Sequence, residues 1–257
     1  MIRVAAVGDL HVGPEVAGSY RERLGRLAGN ADVFLVAGDL TRHGTVEEGR
    51  VAAGELRDLG VPVITVLGNH DYHSDAQDEI TAVLREAGIT VLEGDGTVVD
   101  CHGIRLGVAG GKGFGGGFQG RCASDFGEPE MKAFVGHTKD FAGRLGCALL
   151  ELDADVRIAL THYSPVEDTL AGEPPEIYPF LGSYLMAEAI DAADTTLAIH
   201  GHAHKGTEKG ETPGGVRVRN VALPVIRQAY AMYCVDGFDG ARPSVVASGA
   251  ARQGAPG

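Results

Sequence analysis

Short apolar, β-rich runs alternate with longer helical stretches through the first third of the chain. "IRVAAVG", "DVFLVAG" and "VPVITVLG" read as strands. Residues of about 15–29, 45–59 and 75–87 read as the helices between and after them. This alternation is the pattern of an α/β protein. Each of the three strands ends in glycine followed by polar residues.

From Ile89 the runs shorten. "TVLEG", "TVVDCHG" and "IRLGVAGG", with turn residues between them, predict an antiparallel or mixed portion of sheet. The glycine-rich stretch 110–127, "GGKGFGGGFQGRCASDFG", predicts a mobile or ligand-moulded loop without secondary structure of its own, of a length that is often functional. Residues 128–150 predict a helix, because Met131, Phe134, Val135, Phe141, Leu145 and Leu149 recur near a 3.6-residue spacing. That helix is a candidate lid. "VRIALTHYSP" and "TTLAIHGHAH" then repeat the earlier theme, a buried strand ending in histidines, with a helix around 182–192 between them. "VRVRNVAL", "AYAMYCVDG" and "PSVVASG" read as strands of a second sheet, and 251–257 as a flexible tail.

The chain has 257 residues, 44% of them hydrophobic, which supports one sizeable core. No Pro/Ser-rich linker or break in composition divides it, so a single domain over 1–250 is expected. The formal charge of −13 argues against a broad basic surface, and no nucleic acid polymer is expected as a partner. A local positive site can still arise if acidic and imidazole side chains gather around metal ions. The four cysteines form no Cys-x-x-Cys pair, so reduced thiols are the default. The N-terminal residues make a poor signal peptide, and no apolar stretch approaches the ~20 residues that cross a bilayer. A cytoplasmic protein without membrane insertion is the expectation.

Five strand ends carry side chains able to hold a metal: Asp9 and His11 in "GDLH", Asp39 in "AGDL", Asn69 and His70 in "GNHD", His162 in "THY", and His202 and His204 in "GHAH". Loops at the carboxyl ends of parallel strands share one edge of a sheet, where ligands bind, so these residues can converge from across the chain. Asp9 and His11 are two apart, as are His202 and His204; on an extended backbone each pair points the same way. Taken singly, each piece has a plain reading as a turn or a surface histidine. The ordered set is what carries information.

These five blocks resemble those of the calcineurin-like metallophosphoesterase family, over Ile2 to about Leu223. The resemblance implies a four-layer αββα sandwich of two mixed β-sheets flanked by helices, and a two-metal centre. Carried over, Asp9, His11 and His204 hold one metal, Asn69, His162 and His202 the other, and Asp39 bridges them. Imidazole-rich, thiolate-free ligation favours first-row transition metals, with Mn or Fe the first expectation and Zn, Ni or Co alternatives. The implied reaction is hydrolysis of a phosphoester by in-line attack of a hydroxide shared by the metals. His70 is the expected acid for the leaving group, with Asp71 supporting it.

Protein phosphatases of the family follow the second block with Asp-Arg-Gly and write the third as Gly-Asn-His-Glu; this chain has "GDLTRHG" and "GNHD" instead. A small phosphoester, and a diester before a monoester, is therefore the expected substrate. A phosphomonoesterase is the first alternative. A non-catalytic protein-binding scaffold on the same fold is the second. Arg42, His43, Lys112, Arg121 and Tyr163 are candidate substrate contacts, with Phe114 or Phe118 placed to stack on a base.

Overall fold

Strands β1 (Ile2–Val7), β2 (Val33–Ala37) and β3 (Val63–Val66) form where the apolar runs predict them. They pair in parallel, Val4 beside Val33 and Leu35 beside Ile64. The computed structural model describes residues 1–236 together with 246 and 247; the expected tail, 251–257, lies outside the described residues.

Between β1 and β2 the single helix expected over about 15–29 is instead a short turn at Pro14–Val16 followed by α1 (Ser19–Arg23) and α2 (Leu27–Asn30). Gly18 opens α1 at φ 86°, and Gly25 separates the two pieces, where glycine weakens helix continuity. After β2, Thr45 starts α3 (Val46–Leu56) with a capping box: its hydroxyl accepts from the Glu48 amide at 3.2 Å, and the Glu48 carboxylate accepts from the Thr45 amide. After β3 comes α4 (Gln77–Glu86), which buries Ile80 and Leu84.

β4 (Thr90–Leu92) pairs in parallel with β3, so "TVLEG" closes the first parallel run and does not begin an antiparallel one. The change of pairing comes one strand later. β5 (Asp95–Cys101) and β6 (Ile104–Gly111) form an antiparallel hairpin whose two-residue turn, His102 and Gly103, has positive φ at both positions. That geometry suits the twist of the flanking strands.

The stretch 110–127 is not a structureless loop. Gly110 to Phe118 is buried apart from half-buried Phe114, and β7 (Gly117–Phe118) turns back on β8 (Arg121–Cys122) as a small hairpin. Then follow α5 (Pro129–Glu151), β9 (Val156–Thr161), α6 (Tyr178–Leu181), α7 (Tyr184–Asp191), β10 (Leu197–His200), β11 (Lys209–Glu211) and β12 (Arg217–Asn220). The second sheet runs β11-β12-β10-β9-β6-β5, with β6, β9, β10 and β12 parallel.

β13 (Ala231–Val235) and β14 (Val246–Ala247) were expected in the second sheet but extend the first, in the order β14-β13-β1-β2-β3-β4. β13 pairs antiparallel with β1. Alternating polarity within a strand says which face is buried, not which neighbour it pairs with.

Each sheet is apolar on both faces. Ile2, Val4 and Ala6 of β1 face the second sheet's Leu106, Val108, Ile158, Leu160, Leu197 and Ile199, whereas Ala5 and Val7 face the helices of the first. On the far side, Phe141, Leu145 and Leu149 of α5 and Met186 and Ile190 of α7 pack on Ala109, Ala159 and Ala198, small side chains that let the helices approach. The result is the four-layer αββα sandwich. The helix read as a candidate lid is thus part of an outer layer.

Candidate metal centre

The carboxyl ends of β1, β2 and β3 in one sheet and of β9 and β10 in the other meet at one edge of the sandwich. One backbone bond ties the two sheets together, the Gly8 amide donating to the Val221 carbonyl at 2.9 Å; within the second sheet the Gly201 amide donates to the His162 carbonyl at 3.1 Å. The loops that follow are not extended. Asp9, His11, Asp39 and His202 all have positive φ, between 45° and 70°, which costs a non-glycine residue about 1–2 kcal/mol each. Such conformations persist where the surroundings over-determine them. It is this reversal of the chain, not strand alternation, that turns the paired residues inward.

One ligand atom each of Asp9, His11, Asp39 and His204 lies within 4.8 Å of the others, and the same holds for Asp39, His162 and His202. Asp39 belongs to both groups. The Asn69 side-chain oxygen is 2.9 Å from His162 Nε2 and so joins the second. A Cβ on Gly68 would collide with Asp39 Oδ1, and one on Gly201 with Asp9 Oδ2, so both backbones approach the carboxylates as only glycine permits.

Hydrogen bonds aim these candidate ligands. His162 Nδ1 is 2.8 Å from the Ala37 carbonyl, which accepts its proton and leaves Nε2 facing Asp39 and Asn69. His202 Nε2 reaches the Phe180 carbonyl at 3.3 Å, and the His202 amide donates to both Asp9 oxygens, at 3.1 and 3.0 Å. His204 Nε2 is 2.8 Å from Asp9 Oδ1.

The charges are strongly coupled. Burial opposes ionisation of His162, yet the Asp39 carboxylate beside it outweighs burial and pushes the imidazole up to about 9. Asp39, despite its own burial, is held far below the usual carboxylate range, by His162 above all. Burial, then the His162 charge, pushes His202 down to about 3. Burial likewise lowers His11, while the hydrogen bond to Asp9 raises His204.

These residues fit a pair of transition-metal ions. His11 Nε2 is buried without a hydrogen-bond partner and lies 3.7 Å from Asp39 Oδ2, an orphaned nitrogen amid oxygen and imidazole donors. Residues 2–206 match the calcineurin-like phosphoesterase family. The chain belongs to that family.

Solved structures of similar fold include the phosphopantetheinyl hydrolase of Mycobacterium tuberculosis, at 17% identity and TM-score 0.60 over 87% of this chain and 90% of that one. A hypothetical protein from Thermus thermophilus is similar at 16% identity and TM-score 0.56, over 95% and 97% of the two chains. A putative 5′-nucleotidase from Staphylococcus aureus, at 14% identity and TM-score 0.58, is matched over 96% of this chain and 53% of its own. At these identities the likeness is one of fold. Among curated proteins no sequence matches.

Around this calcineurin-like centre the remaining candidates divide. His70 stands at the rim, half-buried, its ring centroid 4.5 Å from that of His11. Its amide donates to Asp39 Oδ1 at 2.8 Å, and its Nδ1 is 2.7 Å from the Arg42 carbonyl. Asp71 turns elsewhere: its carboxylate accepts from the amides of Leu40, Thr41 and Gly68 and from the Thr41 hydroxyl at 2.6 Å. It ties the loop after β2 to the loop after β3, and the group orienting the His70 ring is the Arg42 carbonyl. Burial, with the Asp39 charge behind it, pushes Asp71 up to about 6.

Tyr163 lies against the site, its ring centroid 4.3 Å from that of His202. Lys112 is buried, with Nζ about as far from the rings of Tyr72, Phe114 and Tyr163, at 5.1, 4.9 and 5.2 Å. The Arg42 guanidinium pairs with Glu15, Arg121 with Glu167 at 3.2 Å, and His43 Nδ1 with Glu48 at 2.9 Å. Phe118 is packed among Leu170, Tyr178, Leu181 and Ala203, whereas Phe114 stands next to Tyr163, their ring centroids 5.9 Å apart.

Two residues beside the centre carry no site role in the sequence pattern, where Phe134 marks only the apolar face of a helix. Phe180, whose carbonyl meets His202, and Phe134, whose ring meets Phe114, follow no metal block; nothing near them in the chain marks them.

Proposed function

We propose that the protein is a binuclear metallohydrolase of a small-molecule phosphodiester. Family membership and the clustered ligands support a metal-dependent phosphoester hydrolase. The observation that carries the reading is the pair of ligand groups joined through Asp39, with His70 standing over their rim.

Asp9, His11, Asp39, Asn69, His162, His202 and His204 would hold two metal ions, with Mn or Fe suiting the donors best, and such ions would supply a nucleophilic water at neutral pH and countercharge for the phosphoryl oxygens. The chain's own groups do the rest. His70, with Nδ1–H donated to the Arg42 carbonyl, presents Nε2 outward, where its protonated form gives a proton to the departing alkoxide. Asp71 keeps His70 and Asp39 in register by joining their loops.

The preference for a diester rests on charge. A phosphomonoester carries close to two negative charges near neutral pH, a diester one. Of the candidate substrate contacts, Arg42, Arg121 and His43 are already engaged by carboxylates, which leaves Lys112 as the cation near Tyr163 and the centre. With the charge of the metal ions common to both kinds of ester, a single ammonium not paired with a carboxylate, its Nζ 3.2 Å from the Gly113 carbonyl, suits a monoanion. The net charge of −13 also disfavours a polyanionic polymer. Among the described residues no helix is long and apolar enough to cross a membrane. Cys101, Cys122, Cys147 and Cys234 are unpaired, which suits a reducing, cytoplasmic setting.

A metal-reconstituted panel tests this reading: bis-p-nitrophenyl phosphate against p-nitrophenyl phosphate, with 2′,3′- and 3′,5′-cyclic nucleotides. Faster turnover of the diesters is expected. Preference for the monoester would make the protein a phosphomonoesterase, and no turnover with both metals bound would favour a non-catalytic scaffold.

A further inference from the structure

A row of aromatic rings leads away from the metal ligands to the surface. Its ring centroids run from His202 to Tyr163 at 4.3 Å, to Phe114 at 5.9 Å, to Phe134 at 5.2 Å and to Phe180 at 6.4 Å. Exposure rises along it: Tyr163 is buried, Phe114 and Phe134 are half-buried, and Phe180 is 60% exposed. The outer end is fixed to the inner one, since the Phe180 carbonyl meets His202 Nε2 at 3.3 Å. These rings come from four separate segments, so local sequence does not explain their alignment.

Folding alone gives little reason for apolar rings to open to water beside a polar centre. The chemistry along the row is ordered as well. The buried Lys112 ammonium faces Phe114 and Tyr163 near the metal end, and past it follow the rings of Phe134 and Phe180, with the His137 imidazole 4.6 Å from Phe114 at the side of the row. A ligand with its phosphoryl group on the metals and a flat group extending from it would match both ends.

We propose that this row is the subsite for the organic group of the ester and selects planar aromatic or heteroaromatic groups over small alkyl ones. The proposal rests on the phosphoester-hydrolase reading and names its substrate class. Offset and edge-on ring contacts supply the selection, beyond the area they bury.

The test uses Mn-loaded protein and three phosphonates that cannot be hydrolysed: methyl-, phenyl- and biphenyl-4-ylphosphonate, titrated by calorimetry. Each added ring should tighten binding by about threefold or more. Phe180→Ala should remove the gain from the second ring, read as the ratio of biphenyl-4-yl- to phenylphosphonate affinity within the variant, a ratio in which any change common to the whole series cancels; the Phe180 ring is exposed, so its removal opens no core cavity, and circular dichroism checks the fold. Phe126→Ala, an 88%-exposed phenylalanine outside the row, should leave the whole series unchanged. Equal affinities across the series, or a second-ring gain that survives Phe180→Ala, would overturn the subsite, even if bis-p-nitrophenyl phosphate is hydrolysed. Failure of all three phosphonates to bind would overturn the hydrolase reading and the subsite with it.

Discussion

Asp39 Oδ1 and His162 Nε2 lie 3.3 Å apart although they follow strands of different sheets, β2 and β9. Both side chains are almost wholly buried, so each charge depends on the other or on bound metal. His162→Ala should therefore strand the Asp39 carboxylate. The metal-free variant is expected to lose about 3 kcal/mol in urea unfolding, and metal analysis should find the second ion missing. Full metal content would remove His162 from the ligand set.

The same pair sets a pH dependence. The folded-state value of His162 is raised from 6.5 to about 9, so its contribution to metal-free stability is complete below pH 6.5 and is lost as pH rises to about 9. The melting temperature of chelator-treated protein should fall across that window, by roughly 5 °C. Metal displaces the His162 proton, so metal affinity should rise with pH over the same range. Calorimetric metal titrations at pH 6.5, 7.5 and 8.5 check this, and a pH-independent affinity would contradict it.

His70 contacts Asp39 through its backbone and leaves its ring at the rim. His70→Ala should keep metal content near that of the parent while lowering kcat by about a hundredfold or more. The loss should be larger for alkyl than for p-nitrophenyl leaving groups, because a poor leaving group needs the proton. A leaving-group dependence identical to the parent's would remove His70 from the acid role.

Asp71 accepts four hydrogen bonds in full burial, three of them from backbone amides. An amide in its place sets an NH2 group against some of those donors. Asp71→Asn is expected to cost about 2 kcal/mol of stability, read by denaturant unfolding, with the leaving-group dependence of the reaction unchanged. An unchanged unfolding midpoint with an altered leaving-group dependence would instead place Asp71 in the chemistry.

Much of the fold was readable along the chain where local rules apply. β1, β2, β3, β9 and β10 announce themselves as β-rich apolar runs, and α3, α4, α5 and α7 fall within a few residues of their expected bounds. The helix over 15–29 failed because glycine punctuates it. The loop 110–127 failed for a different reason: its glycines suggested mobility, whereas burial against neighbouring segments makes its first half ordered.

The candidate ligands were visible because each follows a strand; strand ends of one polarity share an edge within a sheet, and the packing of the two sheets brings the two edges together. Residue order therefore implied who gathers there. It could not imply how: the positive φ values of Asp9, His11, Asp39 and His202 replace the extended geometry expected of the paired ligands. Sheet membership of β13, the Arg42 carbonyl behind His70, and the row from Tyr163 to Phe180 depend on contacts between segments far apart in the chain. Strand and helix patterns arise from interactions within a few residues and so are written in local sequence. Side-chain partners across the two sheets are chosen only when the layers pack, and that is where the candidate centre and the aromatic row beside it take their form.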